Sequence, residues 1–228
     1  MAQATAVIAA AGSGERLGAG GPKALVELAG RSLVGWSLDA FAGARSVASA
    51  VVAAPPELVG EVEEALRAAP LPVKVVAGGE ARSYSVAAAL AGVEAAIVVV
   101  HDAARPLVTA ELIDAVVADL VANPDCDCVL AAAPVTDTVK EVEGREVART
   151  LDRSRLWAAQ TPQAFRTEAL RRALAAPDSL AGATDDAMLV ESIGSRVIVH
   201  DAPSENIKVT MPRDLRTASV LLAERDAG

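Results

Sequence analysis

Residues 9–25, AAAGSGERLGAGGPKAL, end an apolar run that begins at Thr5, and they set glycines at 12, 14, 18, 20 and 21 around two cations, Arg16 and Lys23. A strand that opens into glycine leaves backbone N–H groups exposed where no side chain blocks approach, which is the geometry of a phosphate cradle. The chain has only His101 and His200 as histidines and Cys126 and Cys128 as cysteines. That is thin material for a Ser–His or Cys–His nucleophile. Phosphoryl or nucleotidyl transfer needs only positioning and positive charge, because the attacking phosphate is already an anion.

Two familiar phosphate loops can be tested against this stretch. A P-loop requires glycine before its lysine and Ser or Thr after it. Pro22 and Ala24 flank Lys23, so that reading fails. The dinucleotide fingerprint, counted from Gly12 and Gly14, needs its third glycine where Leu17 stands. It also needs an acid after the second strand, which instead ends in Ala53-Ala54-Pro55. A glycine loop without function remains the plain alternative.

Three further segments could carry chemistry. VVVHDAARP (98–106) follows the most apolar strand with His101, Asp102 and Arg105. An aspartate at the C-terminal end of a buried strand stands where open α/β sheets bind ligands, and it is a natural Mg²⁺ ligand; a helix cap is the alternative. GGEARSYSV (78–86) adds a glycine pair and the hydroxyls of Ser83 and Ser85. ENIKVT (205–210) carries Lys208 in an otherwise apolar stretch, for which solvent exposure is the simplest reason.

The elements that must position these residues alternate. Strands are expected at Val47 to Ala53, Val73 to Ala77, Ala96 to Val100 and Val129 to Ala133. Helices are expected at Glu57 to Ala69, Thr109 to Ala122, Thr184 to Ile193 and from Pro212 onward, with Thr109 and Thr184 as caps and Gly194 past the third. Alternation of this kind implies parallel crossovers and a sheet covered on both faces. No composition break marks a second domain, so residues 1–228 read as one. Asp137 to Thr150 stands apart as a polar hairpin about Glu143-Gly144, either a solvated ribbon or an arm that docks on another subunit.

A net charge of −9 argues against a sequence-independent nucleic-acid binder. No run nears the roughly 20 apolar residues of a membrane span, and no basic stretch precedes the first strand, so a cytoplasmic protein with reduced cysteines is expected.

Taken in order, AAAGSGERLGAGGPKAL, GGEARSYSV, VHDAARP, PVTDTVK, LDRSRLWAAQTPQAF, TDDA and ENIKVT resemble the motifs of the 2-C-methyl-D-erythritol 4-phosphate cytidylyltransferases, from Thr5 to about Leu215. The resemblance implies a Rossmann-like nucleotidyltransferase fold, a mostly parallel twisted sheet covered by helices, with a β-arm at about 137–153 and a homodimer formed through it. It implies that CTP and methylerythritol phosphate are joined with release of pyrophosphate, with Mg²⁺ or another divalent cation as cofactor. By position, Ala10, Ala11, Gly12 and Gly14 would lie along CTP, Arg16 and Lys23 would hold its triphosphate, and Gly79 and Ser85 would face cytosine and ribose. Asp102 would ligate the metal beside Ala103, with Arg105 near the second substrate. Thr138 and Arg153 would contact methylerythritol phosphate across the dimer, and Lys208 would orient its phosphate. Glu15 departs from the pattern, standing where other members often carry a second basic residue. A cytidylyltransferase for another polyol phosphate, such as ribitol 5-phosphate, shares the CTP half of this pattern. A silent nucleotide-binding module would have lost a cation among Arg16, Lys23 and Lys208; all three are present.

Overall fold

A computed structural model describes residues 3–12, 14, 17, 22–176 and 183–227. Its centre is a seven-stranded sheet of β1 (Ala4–Ala9), β4 (Val47–Ala54), β5 (Val73–Ala77), β6 (Ile97–Asp102), β7 (Cys128–Pro134), β10 (Trp157–Arg166) and β11 (Val197–Asp201). They lie in the order β11-β7-β10-β6-β1-β4-β5. All neighbouring pairs are parallel except the two made by β10, which runs antiparallel between β6 and β7. The expected α/β architecture with a mostly parallel sheet is therefore present.

The apolar strands bury both faces, as parallel strands must. In β6 every residue is buried. Ile97 and Val99 face one core with α1 (Leu33–Gly43), α2 (Val59–Ala65) and α4 (Ala110–Ala122); Val98 and Val100 face the other with α3 (Arg82–Leu90), α5 (Thr167–Ala175) and α6 (Asp186–Ser192). A third cluster joins α7 (Pro212–Ala227) to a small ribbon, β2 (Glu27–Leu28) and β3 (Arg31–Ser32), through Leu28, Leu33, Val209, Ala218 and Leu222. Both cysteines are free and buried. Burial raises the Cys128 thiol above its ordinary range, so it stays protonated and unreactive.

Several expectations are corrected in detail. The Glu57–Ala69 helix is shorter: Pro56–Leu58 form a 3₁₀ turn and α2 ends at Ala65. Thr109 caps α4 as expected, accepting from Leu112 N at 3.2 Å. Thr184 does not cap α6; Asp185 does, accepting from Met188 N at 2.9 Å. A carboxylate one residue nearer the helix is better placed for its first turn. The hairpin is present as β8 (Lys140–Glu143) and β9 (Glu146–Thr150), but Glu143 pairs with Glu146, so the turn residues are Gly144 and Arg145. Gly144 takes the positive φ of 61° that such a turn needs. Every residue of both strands is exposed, and among the described residues each strand pairs only with the other.

Candidate active site

The parallel strands β1, β4 and β6 end together, with Ala9 level with Ala53 on one side and Asp102 on the other. Chain connections leave the sheet in opposite directions here, which opens a crevice beyond the carboxyl ends of the strands. A cleft of about 500 Å³ fills it. Ala10, Ala11, Gly12, Gly14, Lys23, Gly79, Ser85, Asp102, Ala103 and Lys208 all line it, so the structure gathers ten of the fourteen anticipated positions in one place. Arg105 lines a smaller adjoining cavity of about 200 Å³. Thr138 and Arg153 line neither; they belong to the exposed arm. Arg16 lies outside the described residues, as do Glu15 and the glycines at 18, 20 and 21.

Local contacts shape the floor. The Lys23 amide donates to Gly12 O at 3.3 Å, closing the glycine loop, and Gly14 has φ 75°. Across the cleft, a Cβ on Gly78 would stand 2.7 Å from Ala11 Cβ and 2.8 Å from Ser85 Oγ, so only glycine allows the two loops this close. The Ser85 hydroxyl accepts from Gly79 N at 3.1 Å and lies 3.2 Å from Ala81 O, holding the glycine turn at the start of α3. Among the described residues nothing lies within 4 Å of where a Gly12 Cβ would be, and Gly12 lines the cleft.

Asp102 is the electrostatic centre. Its Oδ1 accepts from Arg82 Nε at 2.8 Å and its Oδ2 pairs with Lys208 Nζ at 2.6 Å. Burial pushes the carboxyl upward, but Arg82 and Lys208 outweigh it and hold Asp102 well below the usual carboxylate range. It is therefore a fixed anion. The helix-cap alternative fails, because Thr109 caps the following helix.

The neighbouring His101 is no acid–base candidate. Its Nε2 donates to Arg105 O at 3.2 Å and its Nδ1 accepts from Thr161 Oγ1 at 3.0 Å, while Thr161 Oγ1 accepts the Asp102 amide at 3.1 Å. Burial lowers its pKa to about 4, so it is neutral and serves to brace the 101–105 turn. Arg105 donates to Asn206 O at 2.7 Å and Ala159 O at 3.4 Å. Asn206 in turn donates to Gln160 Oε1 at 2.8 Å and Thr161 O at 2.9 Å, anchoring the segment that carries Lys208.

Sequence reasoning missed Arg82, Asn206 and Asp186. All three lie inside motifs it quoted, yet only their partners reveal a role. Arg82 Nη1 donates to Asp186 Oδ2, a residue 104 positions away.

A carboxylate cluster able to cage a metal is absent: no group of three or more His, Cys, Asp or Glu could hold an ion among the described residues. Asp102 alone suits a divalent ion of the Mg²⁺ type, which commonly takes one or two carboxylates and completes its shell with substrate phosphates and water. Lys208, on Oδ2, has a side chain 42% exposed.

A family model, 2-C-methyl-D-erythritol 4-phosphate cytidylyltransferase, matches residues 4–224. The chain belongs to this family. The protein of that name from Frankia casuarinae is 45% identical over 97% of this chain and 82% of its own length. The one from Streptomyces coelicolor is 44% identical over 98% and 86%. Among solved structures, the 2-C-methyl-D-erythritol 4-phosphate cytidylyltransferase of Thermus thermophilus superposes with a TM-score of 0.77 at 34% identity, covering 96% of this chain and 98% of that one. As a cytidylyltransferase, the chain is an enzyme of the nucleotidyltransferase class.

Proposed function

We propose that the large cleft takes CTP and the smaller cavity 2-C-methyl-D-erythritol 4-phosphate. The enzyme would join them into 4-diphosphocytidyl-2-C-methyl-D-erythritol and release pyrophosphate, a step of isoprenoid precursor synthesis. The observation that carries this reading is a shared wall: Arg82, Asp102 and Lys208 line both cavities. Two substrates seated on either side would meet there.

In the reaction a phosphate oxygen of the acceptor forms a bond to the α-phosphorus of CTP as the bond to the pyrophosphate oxygen breaks. No proton need be removed from the nucleophile. The demand is charge and alignment. Lys23 and the adjacent Gly12 and Gly14 backbone would hold the triphosphate with Arg16, and Lys208 would orient the acceptor phosphate opposite the leaving group. Arg105 would border the acceptor. Gly79 and Ser85 would face the base and ribose. Asp102, with the nucleotide phosphates, would hold Mg²⁺ or another divalent cation, which supplies further neutralisation of developing charge when bound.

Thr138 and Arg153 would complete the acceptor site of a second copy in a homodimer. What supports this is their exposure at the two ends of a hairpin whose strands are exposed along their whole length. A cytoplasmic setting is in keeping with the described helices, none of which is long and apolar enough to cross a membrane.

Pyrophosphate release measured side by side with 2-C-methyl-D-erythritol 4-phosphate and ribitol 5-phosphate tests the acceptor. The methylerythritol phosphate is expected to turn over faster. Equal or faster turnover of ribitol 5-phosphate would overturn the assignment.

A further inference from the structure

Asp186 lines neither cavity, yet it is the carboxylate most completely withdrawn from solvent in the network, with a side chain 1% exposed. Its position at the start of α6 is enforced from the sheet. Gln163, fully buried on β10, donates to Asp185 Oδ2 at 3.0 Å and accepts from Ala187 N at 3.2 Å. Asp185 caps the helix. The residue between them is thereby aimed at Arg82 on α3.

Arg82 divides its guanidinium between two acids, Nε on Asp102 and Nη1 on Asp186. One contact alone would leave the planar group free to turn about it. Two contacts on different edges fix it. We propose that Asp186 is a positioning residue: it pins Arg82 so that Arg82 holds the Oδ1 edge of Asp102 at the wall shared by the two cavities. The inference rests on reading that wall as the place where nucleotide and acceptor meet.

The other two features of the network agree. Lys208, on the opposite oxygen of Asp102, is 42% exposed against 26% for Arg82. One side of the carboxylate is thus clamped while the other can exchange its partner. The Arg82–Asp186 pair is also poorly finished as a stabilising device. Arg82 Nη2 and Asp186 Oδ1 are buried and have no hydrogen-bond partner among the described residues. A buried ion pair contributes little stability over a well-packed apolar pair even when fully satisfied, and an incompletely satisfied one contributes less. Geometry at Asp102 is what the arrangement supplies.

Asp186→Asn keeps the shape and removes the charge. Relative to wild type, and per active site, kcat should fall about 10–100-fold, the range for groups that orient a metal-site ligand. KM for CTP and for the acceptor should move by no more than about threefold, because neither touches Asp186. Binding of Mn²⁺ to the enzyme–CTP complex, read from the free-Mn²⁺ electron paramagnetic resonance signal, should weaken about tenfold or more. In an Arg82→Gln background the same substitution should cost nothing further, since its effect runs through Arg82. Wild-type kcat in Asp186→Asn, or losses that add in the double variant, would overturn the proposal. Should Asp186→Asn fail to fold, Arg82→Lys decides. Its single ammonium cannot span both acids, so the same fall in kcat is expected, and an unchanged kcat would refute the clamp. Failure of the wild-type enzyme to turn over methylerythritol phosphate would instead remove the functional reading itself.

Discussion

Asp102 and Arg153 are both assigned to one reaction, yet they sit in opposite kinds of structure. Asp102 closes a strand with every residue buried, and each of its carboxylate oxygens has a cation within hydrogen-bonding distance. Arg153 is exposed beyond the hairpin, and its guanidinium donates to the Thr136 carbonyl just before the arm. The first environment is rigid on its Arg82 side, because burial and pairing hold that edge of the carboxylate in place. The second gains nothing from its own fold: Val142 and Val147 face each other across the arm at 52% and 59% exposure. On the proposed reading, a chain that builds most of its site in its core and leaves Thr138 and Arg153 on an exposed ribbon would be finished by another copy.

The sharpest way to break this comparison is on the core side. Lys23→Ala should fold normally and lose about 10²–10³ in turnover, the cost of one cation aimed at transition-state charge. More than about a third of wild-type turnover at saturating CTP would remove Lys23 from that role.

Arg153→Ala should lose about 10² through misalignment of the acceptor, with CTP binding unaffected. Mixing it with Lys23→Ala after subunit exchange sharpens the point. If the arm acts across the interface, each heterodimer has one site with both lesions and one with neither, and up to half a wild-type dimer's activity returns. No recovery in confirmed heterodimers would mean that Arg153 serves its own chain.

Stability should show the same asymmetry. Asp114 on α4 accepts from Ser46 N at 2.9 Å and Ser46 Oγ at 2.7 Å, tying the approach to β4 onto the frame. Burial pushes its carboxyl up, but these bonds and those from Arg45 outweigh it and lower its pKa. Asp114→Asn should therefore cost about 1–2 kcal/mol in urea unfolding near neutral pH. A depressed carboxylate contributes above the unfolded value of about 3.9 and loses that contribution as pH falls through its folded value. The gap between the two proteins should close as pH falls below the ordinary carboxylate range. A gap independent of pH would assign the loss to packing.

The smallest effect belongs to the arm. Val142→Thr with Val147→Thr should change unfolding of the monomer by less than about 0.5 kcal/mol while weakening self-association measured by sedimentation. A large loss of monomer stability would show that the arm packs on its own chain.

Lys208, which its own stretch gave as solvent-exposed, entered only through the resemblance, whereas the glycine loop, the apolar strands, Lys23 and Asp102 were legible in the sequence. Each declares itself locally, through run length, glycine spacing or a charge at a strand end. The segment that became β10 was not, because Pro162 interrupts it and proline argues against a central strand. It is central all the same, with its register against β7 shifted between Ala159 and Gln163 so that Thr161 meets Asp102. Thr109 capped α4 as expected, but the α6 cap and the hairpin turn fell one residue from their expected places because Asp185 and Gly144 are settled by partners rather than by propensity.

The sequence by itself determined the kind of sheet, the edge of it that would be chemically active, and the sign of the charge offered there, since burial patterns and ionic side chains are properties of short segments. Only the tertiary structure decided how that charge is held. Arg82 meets Asp102 across 20 residues and Asp186 across 104, and no local pattern encodes such a meeting, because an ion pair withdrawn from water exists only once the chain has closed around it.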